Sequence, residues 1–226
     1  SSTGNFSNYQ SWMWKRGKGF DVVAFKGTGA AHLIPHMMNT IPEFIIFKNR
    51  ETNGNQWYIY NKGLNGGTNP EDYYVKLGAS GNAAEAGDSG GNLFNSTAPT
   101  STHFSVGTSS AINESDKGSI AILFSSVEKI SKVGYYTGNN STQTITTGFQ
   151  PRFVIIKKVS GSDNWLVFDT LRGWTSGATD KELRLNATNA QADFQVGYPT
   201  STGFYLDTSD GGINQNDENY IYYAHA

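Results

Sequence analysis

The chain has 226 residues, a formal net charge of −2 and no cysteine. With only 16% of residues charged there is no basic stripe for a nucleic-acid partner, and the lack of cysteine excludes disulfides, thiolate chemistry and cysteine-ligated zinc together. No apolar run approaches the roughly 20 residues of a membrane helix, so no membrane insertion is expected, and abundant Gly, Ser, Thr and Asn predict many short strands joined by polar turns.

Residues 1–19 read as a tether and arm. The opening Ser1-Ser2-Thr3-Gly4-Asn5 lacks the basic and apolar regions of a signal peptide and reads as a linker or the cut end of a longer chain. Trp12-Met13-Trp14-Lys15-Arg16 then alternates apolar side chains ahead of two cations, the pattern of a short strand or extended arm that pins the first domain. Phe20-Asp21-Val22-Val23-Ala24-Phe25-Lys26-Gly27 predicts a strand entering a tight turn. The segment Phe44-Ile45-Ile46-Phe47 is apolar on both faces, as a strand between two layers must be, and Glu51–Gln56 reads as a hairpin loop before a strand opening at Trp57. Ser119–Phe124 closes the first unit, and Ser125–Ile130 is too short for a flexible spacer.

The same series then starts again. Pro99-Thr100-Ser101-Thr102-His103-Phe104 recurs as Pro199-Thr200-Ser201-Thr202-Gly203-Phe204, and Pro42-Glu43-Phe44-Ile45-Ile46-Phe47-Lys48 answers to Pro151-Arg152-Phe153-Val154-Ile155-Ile156-Lys157. Trp57 answers to Trp165, Val75-Lys76-Leu77 to Leu183-Arg184-Leu185, and Ile112-Asn113 to Ile213-Asn214. Copies this long can each carry a core of their own. The predicted fold is all-β: two tandem, tightly abutting β-sandwich repeats, jelly-roll-like, at 20–127 and 128–226, each with six to eight strands. A single large sandwich with pseudo-two-fold symmetry is the architectural alternative. Matched aromatics, above all Trp57 with Trp165 and Phe104 with Phe204, should fill equivalent buried positions, because register fixes which face a side chain takes.

Several strings look like chemistry. Gly87-Asp88-Ser89-Gly90-Gly91 matches the nucleophile segment of chymotrypsin-like serine proteases, and Ala30-Ala31-His32 the tripeptide ending in their histidine, with Asp72 as the nominal carboxylate of a triad. Against this, Ser89 follows His32 too closely for a two-barrel enzyme, and the string sits where the first copy carries extra residues, so a loop insertion is the better reading. Asp207 to Glu218 has the frame of an EF-hand calcium loop, but Ser209 and Gly211 replace two ligands and no helices flank it, which leaves a plain turn. His32 and His36 have a helical metal-pair spacing that Pro35 and the strand-like surroundings contradict. No catalytic set, metal or cofactor is expected. Trp174, in the loop Gly173-Trp174-Thr175-Ser176-Gly177, has no tryptophan counterpart in the first copy and is the candidate ligand-binding residue.

The ordered motifs Ser11-Trp12-Met13-Trp14-Lys15-Arg16, Gly19-Phe20-Asp21-Val22-Val23, Lys62-Gly63-Leu64-Asn65, Ala98-Pro99-Thr100-Ser101-Thr102 with Phe104, and Ile130-Ser131-Lys132-Val133-Gly134 carry a resemblance. They resemble a family of tandem domains in virion proteins of marine and cyanobacterial tailed phages, often tail-fibre or other appendage proteins. The resemblance implies a non-enzymatic structural or host-attachment role on the extracellular virion. The implied partners are a bacterial cell-surface receptor, which can be a glycan, and other virion proteins, in a homo-oligomer, most simply a trimer as phage fibres are built. A structural spacer or capsid decoration without a receptor, and a carbohydrate-binding module presenting Trp174, are the alternatives. The Gly87–Gly91 string departs from the family pattern, as a variable loop would.

Overall fold

A computed structural model of the chain describes residues 12–78, 83–177, 180–206, 210 and 212–226. The expected tether at 1–11, residues 79–82 before the Gly87–Gly91 string, residue 178 after the Trp174 loop, and Asp207, Ser209 and Gly211 of the candidate cation loop lie outside them.

The architecture is all-β. The first half contributes β1 (Phe20–Lys26), β2 (His32–Pro35), β3 (Phe44–Asn49), β4 (Trp57–Asn61), β5 (Tyr73–Leu77), β6 (Ala86–Gly87), β7 (His103–Val106) and β8 (Gly118–Phe124). The second contributes β9 (Ser131–Thr137), β10 (Gln143–Thr146), β11 (Phe153–Lys158), β12 (Trp165–Asp169), β13 (Asp180–Arg184), β14 (Ala192–Phe194), β15 (Gly197–Thr200), β16 (Gly203–Leu206) and β17 (Asn219–His225). Each half forms one antiparallel six-stranded sheet, ordered β1-β8-β3-β4-β5-β6 in the first and, read from the other edge, β9-β17-β11-β12-β13-β14 in the second. In both, the last strand of the half inserts between its first and third. A small sheet covers one face of each, β2-β7 in the first half and β10-β16-β15 in the second.

Register confirms the repeat residue by residue. Phe44 pairs with Asn61 and Phe124, and its counterpart Phe153 pairs with Asp169 and His225. Ile34 pairs with Phe104 as Ile145 pairs with Phe204, and both phenylalanines are buried. A shared backbone device closes each half. Gly27 and Gly138 lie so close to the loop before the last strand that a Cβ would stand 2.1 Å and 2.2 Å from the carbonyl oxygens of Glu114 and Gln215. Asn113 and Asn214, both fully buried, accept the N–H of Thr28 and Asn139 at 2.9 Å and 3.1 Å across the same junction. Trp57 and Trp165 hold matching strand positions, yet Trp57 is only half-buried whereas Trp165 is 2% exposed. Equal burial was expected; instead Trp165 belongs to a buried apolar cluster, whereas the Trp57 ring has the Lys48 ammonium over it at 5.9 Å.

Alternation within the strands decides the layering, since successive side chains take opposite faces. Ile45 and Phe47 point into a core beneath the β2-β7 sheet, while Phe44 and Ile46 point away from it into a third core. In the second half Val154, Ile156, Leu166 and Phe168 fill its own core, and Phe153, Trp165 and Val167 enter that same third core. The two six-stranded sheets therefore pack face to face, in four layers overall. Among the described residues this seam holds twelve buried apolar side chains, as many as the core belonging to the first half alone. At roughly 1.5–3 kcal/mol for each side chain fully buried, the seam matters on the scale of a domain's whole net stability, about 5–15 kcal/mol. The halves are thus joined by a common core, closer to one body than independent sandwiches would be.

Candidate functional site

The arm at Trp12–Lys15 lies across the edge of the seam and touches both halves. Alternation turns Trp12 and Trp14 inward and leaves Met13 93% exposed. The Trp14 ring stacks on Phe20 at 5.8 Å and meets Phe124 edge-on at 5.4 Å in the first half, and meets Phe153 of the second at 6.3 Å. Trp12 packs on Phe153 at 5.2 Å and donates its indole N–H to Asp169 Oδ2 at 3.3 Å. The arm was expected to pin the first domain; it clasps both, because the seam brings Phe124 and Phe153 under one pair of rings. It then turns back at Gly17–Phe20, with Arg16 paired at 2.7 Å to the buried carboxylate of Asp21.

Beside the arm lies a cleft of about 550 Å³, within the size range of small-molecule sites. Its walls are the arm's turn with Phe20, the linker residues Val127 and Ile130, and Ser131, Tyr223 and His225 of the second half. A smaller cavity of about 260 Å³ on the other side shares Met13, Trp14 and His225 and adds Arg152 and Asp169. A chain of hydrogen bonds runs between the two. Trp14 Nε1 donates to Tyr223 Oη at 3.2 Å, so the phenol spends its own proton on His225 Nδ1, 2.9 Å away. With the phenol as the donor of that contact, the imidazole carries its own proton on Nε2. Burial, with Arg152 nearby, holds the His225 pKa below its ordinary value, so the ring is neutral at pH 7. Burial likewise pushes the Tyr223 phenol up and keeps it protonated.

Trp174 is placed otherwise than expected. It is 1% exposed and packs against Phe168 at 6.3 Å and Phe204 at 6.2 Å in the core of the second half. The reason is local: Asp169 caps a single turn at Thr170–Arg172, Gly173 takes a left-handed φ of 103°, and the chain doubles inward. Leu171 at the tip is exposed instead. Trp174 therefore presents no surface to a ligand.

The protease-like string also serves structure. The Asp88 carboxylate, 6% exposed, receives the N–H groups of Leu93 at 2.9 Å and Phe94 at 3.0 Å and so holds that loop on the core. Ser89 is exposed in the following turn, while His32 Nδ1 contacts Thr28 Oγ1 and the Ala30 carbonyl in the turn that leads into β2. No hydrogen bond joins Ser89, His32 and Asp72 among the described residues. His36 is buried and bonds locally through both ring nitrogens, Nδ1 to the N–H of Met38 and Nε2 to the carbonyl of Thr100. In the candidate cation loop, Glu218 is taken up by Lys158 at 3.4 Å and by Ser160, and Asp210 Oδ1 accepts the N–H of Gly212. Among the described residues no group of three or more His, Cys, Asp or Glu is gathered to hold a metal ion.

Sequence reasoning missed the Tyr223–His225 pair and a second seam device. Tyr135 of β9 lies on Gly63 and Gly67, where a Cβ would stand 2.5 Å and 2.6 Å from its side chain. The two glycines around the fully buried Leu64 carried that signal. A comparison with curated proteins returns no match. The model of a domain of unknown function, DUF7483, matches residues 2–226, and the chain belongs to that family.

Proposed function

We propose that this domain is a non-enzymatic module of a phage virion appendage, of tail-fibre type, that contacts the bacterial host surface. The observation that carries the reading is the seam: two repeats sharing a core between their main sheets form a stiff body, as a part that transmits load and presents loops must be. The resemblance to phage appendage domains supplies the setting. Within the strings that resemble a catalytic and a metal motif, Asp88 is taken up by two backbone N–H groups and His36 by two backbone partners. Recognition then falls to unequal loops on a rigid scaffold, where Ser89, Gly90, Asn92, Asn95 and Ser96 present an exposed polar rim. Trp174 has no part in it.

The test is binding of fluorescently labelled protein to a panel of marine and cyanobacterial strains. Selective, saturable labelling of some strains supports the reading, and equal background labelling of all overturns it. Assembly as a homo-oligomer, with a trimer as the simplest form, belongs to the same proposal, and light scattering that returns 24.6 kDa at micromolar concentration would contradict it.

A further inference from the structure

The cleft beside the arm has a chemistry that the host-contact reading neither uses nor needs. Its floor is apolar, from Trp14, Phe20 and Val127, with Ile130 half-exposed at the mouth. Its rim is cationic: Lys15, Arg16 and Lys18 follow one another round the arm's turn. Arg16 is tied to Asp21, but Lys15 and Lys18 are exposed and have no acidic partner among the described residues. Among the described residues no carboxylate lines the cleft; Glu128 lies in the adjoining linker turn, next to Lys129 in sequence. Tyr223 engages His225 through Nδ1, and no hydrogen bond engages its Nε2 among the described residues. An apolar pocket edged by an imidazole nitrogen and by two ammonium groups that pair with no carboxylate among the described residues is complementary to one class of ligand.

We propose that this cleft binds a small amphipathic anion, an organic phosphate, sulfate or carboxylate whose apolar body lies against Trp14 and Phe20. The anionic head meets Lys15, Lys18 and the Nε2–H of His225. Charge and apolar area act together here, since screened surface charges alone contribute little and an apolar groove alone does not select an anion.

Three ligands separate these contributions below their micellar concentrations: octyl phosphate, octyl glucoside with the same chain and no charge, and inorganic phosphate with the charge and no chain. Calorimetry and intrinsic tryptophan fluorescence, to which Trp14 contributes, are expected to show saturable 1:1 binding of octyl phosphate only. Lys15→Gln with Lys18→Gln should weaken it about tenfold. Ile130→Glu, at an exposed position, should abolish it while the unfolding midpoint stays at the wild-type value. Equal binding of octyl glucoside reduces the cleft to an unspecific apolar surface, and equal binding of inorganic phosphate reduces it to an adventitious ion site. Either result, no binding at all, or indifference to the lysine substitutions overturns the proposal.

Discussion

Substituting Phe44 by alanine tests whether the seam makes the two halves a single cooperative unit. Phe44 is 3% exposed, and its ring meets Phe124 at 5.5 Å within its own half and Trp165 and Tyr223, both at 6.3 Å, across the seam. Truncating a buried phenylalanine costs about 3–5 kcal/mol, the lost transfer energy plus the cavity it leaves. For a chain of this length each kcal/mol lowers the unfolding midpoint by about 2–4 °C, so Phe44→Ala should lower it by about 6–20 °C. Thermal unfolding followed by circular dichroism gives the midpoint. Hydrogen exchange resolved along the chain shows how the loss is distributed, because strands that open only by global unfolding lose protection together. β7 and β16 sit in the small outer sheets of opposite halves, and neither touches Phe44. If the seam couples the halves, exchange accelerates in both, by roughly a hundredfold or more for a loss of this size. Two separate thermal transitions, or accelerated exchange in β7 with β16 at the wild-type rate, would refute the reasoning and return the halves to independent domains.

Other substitutions address single devices. Gly63→Ala should cost about 1–3 kcal/mol by overpacking, since its Cβ would stand 2.5 Å from Tyr135 at a φ of −93° that alanine tolerates; the cost should vanish in a Tyr135→Ala background, and an unchanged cost there would exclude Tyr135 as the cause. Trp174→Ala should cost about 3–5 kcal/mol in denaturant titration as a core truncation, and near-wild-type stability would return the residue to the surface. Lys157, fully buried, donates to the carbonyls of Lys158 and Asp163, and burial lowers its pKa from 10.5 to about 8. A lysine with a lowered folded pKa holds fewer protons folded than unfolded between those values, so stability should rise with pH from about 8 to 10.5, by about 3 kcal/mol in all. Lys157→Met should lack that rise, and a parallel rise in the variant would disprove the assignment. From about pH 10 to 12 a contribution of opposite sign sets in, because burial raises Tyr220 and Tyr222 from 10.0 to about 12 and the protonated phenols favour the folded state.

Much of the fold was legible because two copies of one pattern constrain each other. Either occurrence of an apolar run such as Phe44-Ile45-Ile46-Phe47 is ambiguous between a buried strand and a helix segment, but its return at Phe153-Val154-Ile155-Ile156 with the same neighbours fixed the strand and its place. That both faces are apolar also implied two covering layers. What the pattern did not say was which layer came from where. The strand fills a face in the same way whether the cover is a loop, a small sheet or the other repeat, and only the three-dimensional arrangement shows that Phe44 meets Trp165. The same limit misplaced Trp174: a glycine-bounded loop reads as exposed, and the turn that drives its tryptophan inward depends on the Asp169 cap and the φ of Gly173.

The cleft was illegible for a different reason. Its parts come from the arm, the inter-repeat linker and the last strand, and none of them carries a motif. Lys15, Arg16 and Lys18 look like an ordinary solvated run, and His225 like one more residue of an aromatic strand. They converge because the seam sets β8 beside β11 and β17, and Trp12 and Trp14 can cover Phe124, Phe153 and Tyr223 only by crossing that junction. The cations that follow them along the chain are then carried to the mouth of the cleft. In this protein the packing of two repeats makes the site, so a change at the seam should reach the cleft even when it touches none of its lining residues.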